Sequence, residues 1–445
     1  MNKKKIILSV IFFMILNFGV AQSYSDVDIK SYDYYIAKDW TGLIKYSKSN
    51  IDFDEVDYYY LRMRLGSAYF ETGNYLKAIK HFKKAVEFNV TDPIAKEYLF
   101  YCYKYTFQYT LAKNVYEKML VKNKKHISPL KNRIFNLAKI EAGINLSENF
   151  DKNQDKFNLE EEDIYSETKF IGNTKYFHFG LTHVFSDEFS IYHGISKFNI
   201  DNKIKFCLPD GDSIFDYSAL QTDYYLNSNY TFPNGLNLYF ALHTLSVSFN
   251  KPVMKYEDYE YSITKPKTEF IDYLLLAGIG NFYNKFYWQA GISYSKINQY
   301  NQTQLDFDIS WLPFGNYKFV PGIKFVSYQQ AEKQEEPSIS EIIIEPHLSL
   351  SFSSSVWIDV SYTIGNLNNY QEKNGFIIYN NPDRITEKAE ALINFKINKN
   401  LIFYAKYRFM KREDNSIAYF TEDEYIINSF NFTTNYIIGG ISWIF

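Results

Sequence analysis

The chain has 445 residues, a formal net charge of -3 and a mean hydropathy of -0.33, a length that allows roughly two or three domains. The near-neutral balance excludes a nucleic-acid footprint and a polybasic membrane patch, and a count of two cysteines excludes a disulfide scaffold. Aromatics reach 19%, carried by 42 Tyr and 39 Phe, an excess that suits the interfacial rings of a barrel whose strands cross lipid without any long apolar run.

At the amino end, Lys3-Lys4-Lys5 precedes an apolar run from Ile6 to Phe18, and Gly19 and Ala21 supply the small side chains a leader peptidase requires. Residues 1-21 are expected to be a secretory signal peptide, because the run is shorter than the ~20 residues of a spanning helix. The compartment beyond would permit disulfides, but Cys102 and Cys207 fall in different expected domains.

Residues 22-138 carry a helical pattern. Leu65, Gly66, Tyr69, Ala78, Phe82 and Ala85 stand at the spacing of a tetratricopeptide repeat, and Leu99, Tyr103, Ala112 and Tyr116 repeat it after a period of about 34 residues. The small residues let paired helices approach and the rings fill the space between them. Glu71-Thr72-Gly73-Asn74 supplies a turn, Thr91-Asp92-Pro93 a cap and helix start, and Ser128-Pro129 the start of a last helix. A degenerate copy runs from Tyr35 to Tyr46. Such a short solenoid, near the minimum of about three repeats, is expected to lie in the periplasm and bind a protein partner.

Near Lys139 the period changes to two, which opens a segment expected to form strands over 139-445. Ile140, Ala142, Ile144 and Leu146 alternate with Glu141, Gly143, Asn145 and Ser147. The same alternation recurs over Leu220–Asn227, Phe286–Ser295, Leu305–Trp311 and Val356–Thr363. A soluble two-sheet protein could show it as well, so connection lengths decide. Tight turns at Ser186-Asp187-Glu188, Pro233-Asn234-Gly235, Asn284-Lys285, Gly315-Asn316, Ser353-Ser354-Ser355 and Asn398-Lys399-Asn400 alternate with long polar stretches at 149–174, 200–216, 250–268, 329–340, 369–384 and 411–428; only the connection near Asn301 is short. Short turns on one side and long loops on the other are the outer-membrane pattern, with about fourteen strands between them. The expected fold is therefore α+β and multidomain: a short tetratricopeptide-like α-solenoid, then an antiparallel transmembrane β-barrel in contact with outer-membrane lipid.

The chain ends on Tyr436-Ile437-Ile438-Gly439-Gly440-Ile441-Ser442-Trp443-Ile444-Phe445. Tyr436, Ile438, Gly440, Trp443 and Phe445 resemble the terminal signal by which the barrel assembly machinery selects its clients. Both faces become apolar at Gly439-Gly440, and a β-bulge is expected there. A leader, repeat-like helices carried by Leu65, Gly66, Tyr69, Ala78, Phe82 and Ala85, and a barrel closing on Gly439-Gly440 to Phe445 together resemble the YaiO family of outer-membrane β-barrel proteins. The resemblance implies the architecture and little mechanism. Exopolysaccharide exporters are similar in plan but carry many more repeats.

Period-two phase points a mixed-charge set inward: Asp223, Asp306, Asp308, Glu345, His347 and Asp359 with Lys324, Lys388, Lys396, Lys406 and Arg408. Tyr225, Tyr287, Trp357 and Tyr404 face the same interior. Such a set can simply stiffen a narrow lumen, or it can form a polar conduit in which rings stack on sugars. His347 and Ser349 share a face and invite a hydrolase reading, but spacing supplies no orienting third group. Asp306 and Asp308 alone are too few ligands for a metal, and no phosphate loop, zinc spacing or dinucleotide motif occurs. No catalytic residue, cofactor or metal is expected. The expected function is an outer-membrane barrel with periplasmic protein-binding repeats in envelope or exopolysaccharide export or assembly; a barrel-embedded enzyme acting on lipid or glycan, or a general porin, is the alternative.

Overall fold

The computed structural model describes residues 24–120, 124, 127, 134–156, 164–257, 260–331, 339–421 and 424–445. The expected leader and the Ser128-Pro129 helix start lie outside the described residues. The chain forms two compact units, divided between Pro129 and Leu130.

The first unit is helical: α1 (Tyr24–Ile36), α2 (Trp40–Asn50), α3 (Tyr59–Glu71), α4 (Tyr75–Phe88), α5 (Pro93–Tyr105) and α6 (Tyr109–Glu117) among the described residues. Side-chain caps start three of them. Asp39 accepts from Gly42 N–H, Asn74 from Lys77 N–H, and Asp92 from Ile94 and Ala95 N–H ahead of Pro93. At Gly66 the chain has no room for a side chain, since a Cβ would stand 2.7 Å from Cε1 of Phe82. The Phe82 ring is wholly buried in that contact and stacks on Tyr98 of α5 at 4.9 Å. Leu65, Tyr69, Ala78 and Ala85 are buried around it, and Leu99, Tyr103 and Ala112 are buried in the next pair. Val27, Leu43, Leu61, Leu65 and Ala68 join α1 and α2 to the same core.

The second unit is a closed antiparallel barrel of fourteen strands: β1 (Phe135–Ser147), β2 (Tyr165–Val184), β3 (Phe189–Cys207), β4 (Ser213–Thr231), β5 (Asn237–Phe249), β6 (Thr268–Tyr283), β7 (Phe286–Ile297), β8 (Tyr300–Trp311), β9 (Phe319–Ala331), β10 (Ile339–Ser351), β11 (Val356–Ile364), β12 (Arg384–Lys396), β13 (Leu401–Tyr419) and β14 (Tyr425–Ile444). Each pairs with its neighbours in sequence, and β14 returns to β1 with Leu137 opposite Ile444. No sheet edge remains, as a lipid-exposed sheet requires. The first strand begins ahead of Lys139 because a register shift between Phe135 and Leu137 breaks its alternation.

Outward positions such as Leu220, Leu275, Ile292, Leu305 and Ile437 are apolar and exposed, while their neighbours face a filled lumen. At one end, which holds the tight turns, Phe135 and Phe445, exposed rings gather: Phe185, Tyr230, Tyr283, Trp311, Phe314 and Trp443. This turn end carries one interfacial girdle. Trp443 and Phe445 point outward into it, whereas Tyr436, Ile438 and Gly440 point inward.

The loop end departs from expectation at several connections. Residues 200–216 are mostly strand, with β3 and β4 still paired at Asn202 opposite Tyr217. Residues 411–428 likewise continue the β13–β14 ladder to Tyr419 opposite Tyr425. Polar composition there marks departure from lipid, and the hydrogen-bonded ladder runs on. The stretch 250–268 holds its own hairpin, Val253–Glu257 against Glu260–Thr264, and the first connection opens with α7 (Asn149–Asn153). Asn298 and Gln299, both left-handed, make the short turn near Asn301. Beyond β1, the start of β2 pairs directly with β13, Tyr165 opposite Tyr419. There β13 keeps β14 on one edge and takes β2 on the edge that β12 leaves beyond Arg384.

No bulge occurs at Gly439-Gly440. Register runs unbroken on both sides, with Gly440 opposite Glu141 and Tyr404. The missing side chain instead seats the Tyr404 ring, whose atoms would lie 2.2 Å from a Cβ on Gly440. The barrel's register shifts fall elsewhere, between Phe135 and Leu137, between Ile171 and Thr174, and between Ile385 and Glu387.

Candidate functional site: a loop folded into the lumen

The connection Gly365–Asp383 between β11 and β12 was expected to be an external polar loop over 369–384. It turns into the barrel instead. Gly365 starts the turn at φ 137° and Gly375 ends the tip at φ 78°, a backbone region open to glycine. Between them Gln371–Glu372 pairs with Ile377–Ile378 in a small hairpin. Leu367, Asn369 and Tyr370 are wholly buried.

Packing holds the loop there. Leu367, Tyr370 and Tyr379 join Val326, Tyr328, Ile343, Ile385 and Met410 in one apolar cluster. Phe376 at the tip meets the rings of His178, Tyr192 and Tyr225 at 5.1, 6.2 and 5.2 Å. The polar backbone the loop buries is satisfied by the wall. Tyr225 donates to Asn374 O at 2.9 Å, His243 Nδ1–H to Gly375 O at 2.7 Å, and Tyr328 to Asn366 O at 2.9 Å. Gln371 and Gln304 exchange two hydrogen bonds at 3.2 and 2.9 Å, while Gln371 also bonds Ser293 and Ser295.

Charge fastens the other side. Lys388 is fully buried between Glu372 of the loop, at 2.6 Å, and Glu345 of β10, at 3.2 Å. Glu390 accepts from Arg408 at 2.6 Å and from Lys373 of the loop at 2.5 Å. Asp383, at the loop's end, pairs with Arg412 in full burial. Acids on the loop thus meet bases on the wall, and the partner in each of these pairs offsets the other's lost hydration.

The other inward residues form separate pairs on the wall. Asp306 takes Lys324 at 3.1 Å, Asp308 takes His347 at 3.1 Å, and Asp223 lies 3.4 Å from His243. Ser349 donates to Asp359 at 2.5 Å rather than to His347, so no nucleophile–base pair is assembled. Asp306 and Asp308 are each committed, and no cluster of three metal-ligating side chains occurs among the described residues. Tyr404 donates to Glu141 at 2.6 Å. Tyr287 packs on Phe282 at 5.0 Å, and Trp357 is half-buried near the turn end, apart from the charged layer. Lys396 is exposed at a turn. Lys406 is buried without an ion pair to any described residue.

Sequence reasoning missed Glu141, His178, His243 and Glu390, all on inward phase and reachable by the same alternation. It also missed Glu372 and Asp383, which no periodicity marks.

The loop divides the lumen. On the loop-end side lies a vestibule of about 640 Å³ floored by Asn368, Asn380, Asn381 and Pro382. On the turn-end side lies a cavity of about 300 Å³ roofed by Glu372, Lys373 and Asn374. A gap of about 90 Å³ runs beside Phe376–Asn381, against Glu141, Lys406 and Tyr436.

No family model and no curated protein matches the chain, so the resemblance to the YaiO family stands on the residues quoted for it. Among solved structures the chain is similar to a deletion mutant of the TodX monoaromatic hydrocarbon channel, with 7% identity and a TM-score of 0.45 over 70% of this chain and 91% of that one. A FadL homologue of Pseudomonas aeruginosa gives 8% identity and 0.40 over 71% and 90%. A bacterial polysaccharide outer membrane secretin gives 9% and 0.34 over 70% and 100%. At these scores the likeness is one of barrel form and says nothing of cargo.

Proposed function

We propose that this protein is an outer-membrane conduit for a saccharide polymer of the envelope, restricted by the Gly365–Asp383 loop and served on the periplasmic side by its helical repeats. The loop's inward course carries the reading. It leaves a narrow gap lined by Tyr176, Phe376, Tyr379 and Tyr436 beside Gln221, Asn380 and Asn381, and rings next to amides suit a threaded sugar chain better than a free solute. The export or assembly role itself rests on these linings and on the YaiO resemblance. The helical unit offers a partner an exposed apolar surface, Ile94, Tyr105, Phe107 and Tyr109, beside a hollow of about 410 Å³ rimmed by Glu71 and Glu97.

The test is efflux from liposomes loaded with labelled oligosaccharides. Linear chains should leave faster than branched chains of equal mass, and shortening the loop should abolish the difference. Absence of saccharide efflux with the loop intact or shortened would overturn the reading. A general porin is the second reading, favoured by acids on an inward loop facing bases on the wall; equal efflux of all small neutral sugars would select it.

A further inference from the structure

Lysines outnumber acids around the vestibule: Lys169, Lys251 and Lys296 line it with Asp272 alone against them. Asp272 is buried and accepts from Asn298 N–H at 2.9 Å, and Lys251 is held by Glu167 at 2.6 Å. Lys169 makes no hydrogen bond or ion pair with any described residue. The acids that face it are Asp414, Asp383 and Glu167. Two of these are taken, Asp383 by Arg412 and Glu167 by Lys251. Asp414 stays beyond ion-pair distance, and its Oδ2 is buried without a partner.

Lys406 repeats the situation one level down. It lines the gap beside the loop, is 7% exposed, and has no ion pair with any described residue. Its neighbouring acids are Glu141, committed to Lys139 and Tyr404, and Glu390, committed to Arg408 and Lys373. Vestibule and gap share Ile200, Gln221, Asn380 and Asn381, so the two ammoniums lie along one continuous space. A confined cation without a counter-charge is costly, and two on one path call for an anion. The rest of the lining narrows its kind. Tyr217, Phe249, Phe270 and Tyr300 line it with rings and Asn202, Asn298 and Asn368 with amides, and Asn368 Oδ1 is a buried acceptor without a donor among the described residues.

We propose that vestibule and gap bind a carboxylated saccharide, its acid groups on Lys169 and Lys406, a hydroxyl donating to Asn368 Oδ1, and its rings against Tyr217 and Tyr300. This rests on the saccharide reading above and narrows it to acidic chains. A neutral sugar leaves both ammoniums unpaired, a fatty acid leaves the amides unpaired, and an inorganic anion makes no use of the rings.

The experiment is calorimetric titration of the full-length protein in detergent micelles with hexagalacturonate and with maltohexaose, at low and high salt. Hexagalacturonate should bind about a hundredfold tighter, each of the two charge-assisted contacts supplying a factor of about ten, and the advantage should shrink with salt. Lys169→Met and Lys406→Met should each remove one such factor of about ten for hexagalacturonate and leave maltohexaose unchanged, while Lys169→Arg retains it; heat-modifiable migration checks that each variant is folded. Equal affinity for the two probes, or indifference of hexagalacturonate binding to both Lys→Met changes, overturns the acidic assignment and leaves the saccharide reading standing. Binding of neither probe overturns both.

Discussion

Lys388 sits where the loop's charge meets the wall's. Its buried ammonium is shared by Glu372 and Glu345, and Glu345 also accepts from Thr363 at 2.5 Å. Lys388→Met would leave two carboxylates facing each other out of water, which costs about 3–5 kcal/mol for a broken buried pair. The loop should then leave the lumen, seen as new protease cleavage between residues 366 and 382 in folded protein. Adding Glu372→Gln and Glu345→Gln should restore protection, because the repulsion goes with the charges; continued cleavage would place the defect elsewhere. In the helical unit, His81 stacks on Tyr69 at 5.3 Å with Arg62 3.3 Å from its Nδ1. Burial, then the Arg62 charge, pushes its pKa down from 6.5 to about 3. The unfolded chain takes up a proton near the ordinary value while the folded unit resists it until about pH 3, so stability is full above 6.5 and falls as the pH drops through that window. Helical melting of the full-length protein, followed by far-ultraviolet dichroism, should drop with acidification in this range and lose part of that slope in His81→Gln. An identical slope in the variant would contradict the assignment.

Elements can be broken one at a time. Gly440→Leu should push Tyr404 off Glu141 and lower the yield of heat-modifiable barrel, whereas Gly439→Ala, with open space at its Cβ position, should not. Equal yields would mean that Gly440 is not a seat. In the helices, Phe82→Ala should cost about 3–5 kcal/mol, as for any buried ring removed from a tight contact, and lower the helical melting transition of the full-length protein. Strands and helix pairs were legible in the sequence for the same reason these changes are predictable. Strand alternation at Leu220–Asn227 or Leu305–Trp311 is a direct record of one face in lipid and one in the lumen, and Gly66 with Phe82 records a helix contact. Two kinds of feature were not legible. Asn202 and Lys411 are polar and read as loop, yet lie in ladders that continue beyond lipid, because hydrogen bonding does not stop where apolarity does. The inward course of Gly365–Asp383 left no periodic trace, since its contacts with Tyr225, His243, Gln304 and Lys388 are scattered around the wall. The candidate site was legible on its wall and hidden in its plug.

At the scale of the molecule, the barrel's pairing closes on itself, and its strands find every partner within residues 135–444. A chain beginning at Leu130 should therefore insert into lipid and fold without the helices, migrating in folded form before heating; loss of that form would make the helical unit part of barrel assembly. Deleting Phe445 should reduce barrel assembled in cells, since the terminal strand carries the signal-like residues Trp443 and Phe445 on its outward face. The lumen is continuous in its wall and interrupted by the Gly365–Asp383 loop. Single-channel recording in planar bilayers tests it, comparing the native protein with a variant in which residues 367–381 are replaced by a short glycine-serine turn. The native chain should show low or flickering conductance and the variant a stable, several-fold larger one. A large steady conductance of the native protein that the replacement leaves unchanged would contradict an interrupted lumen.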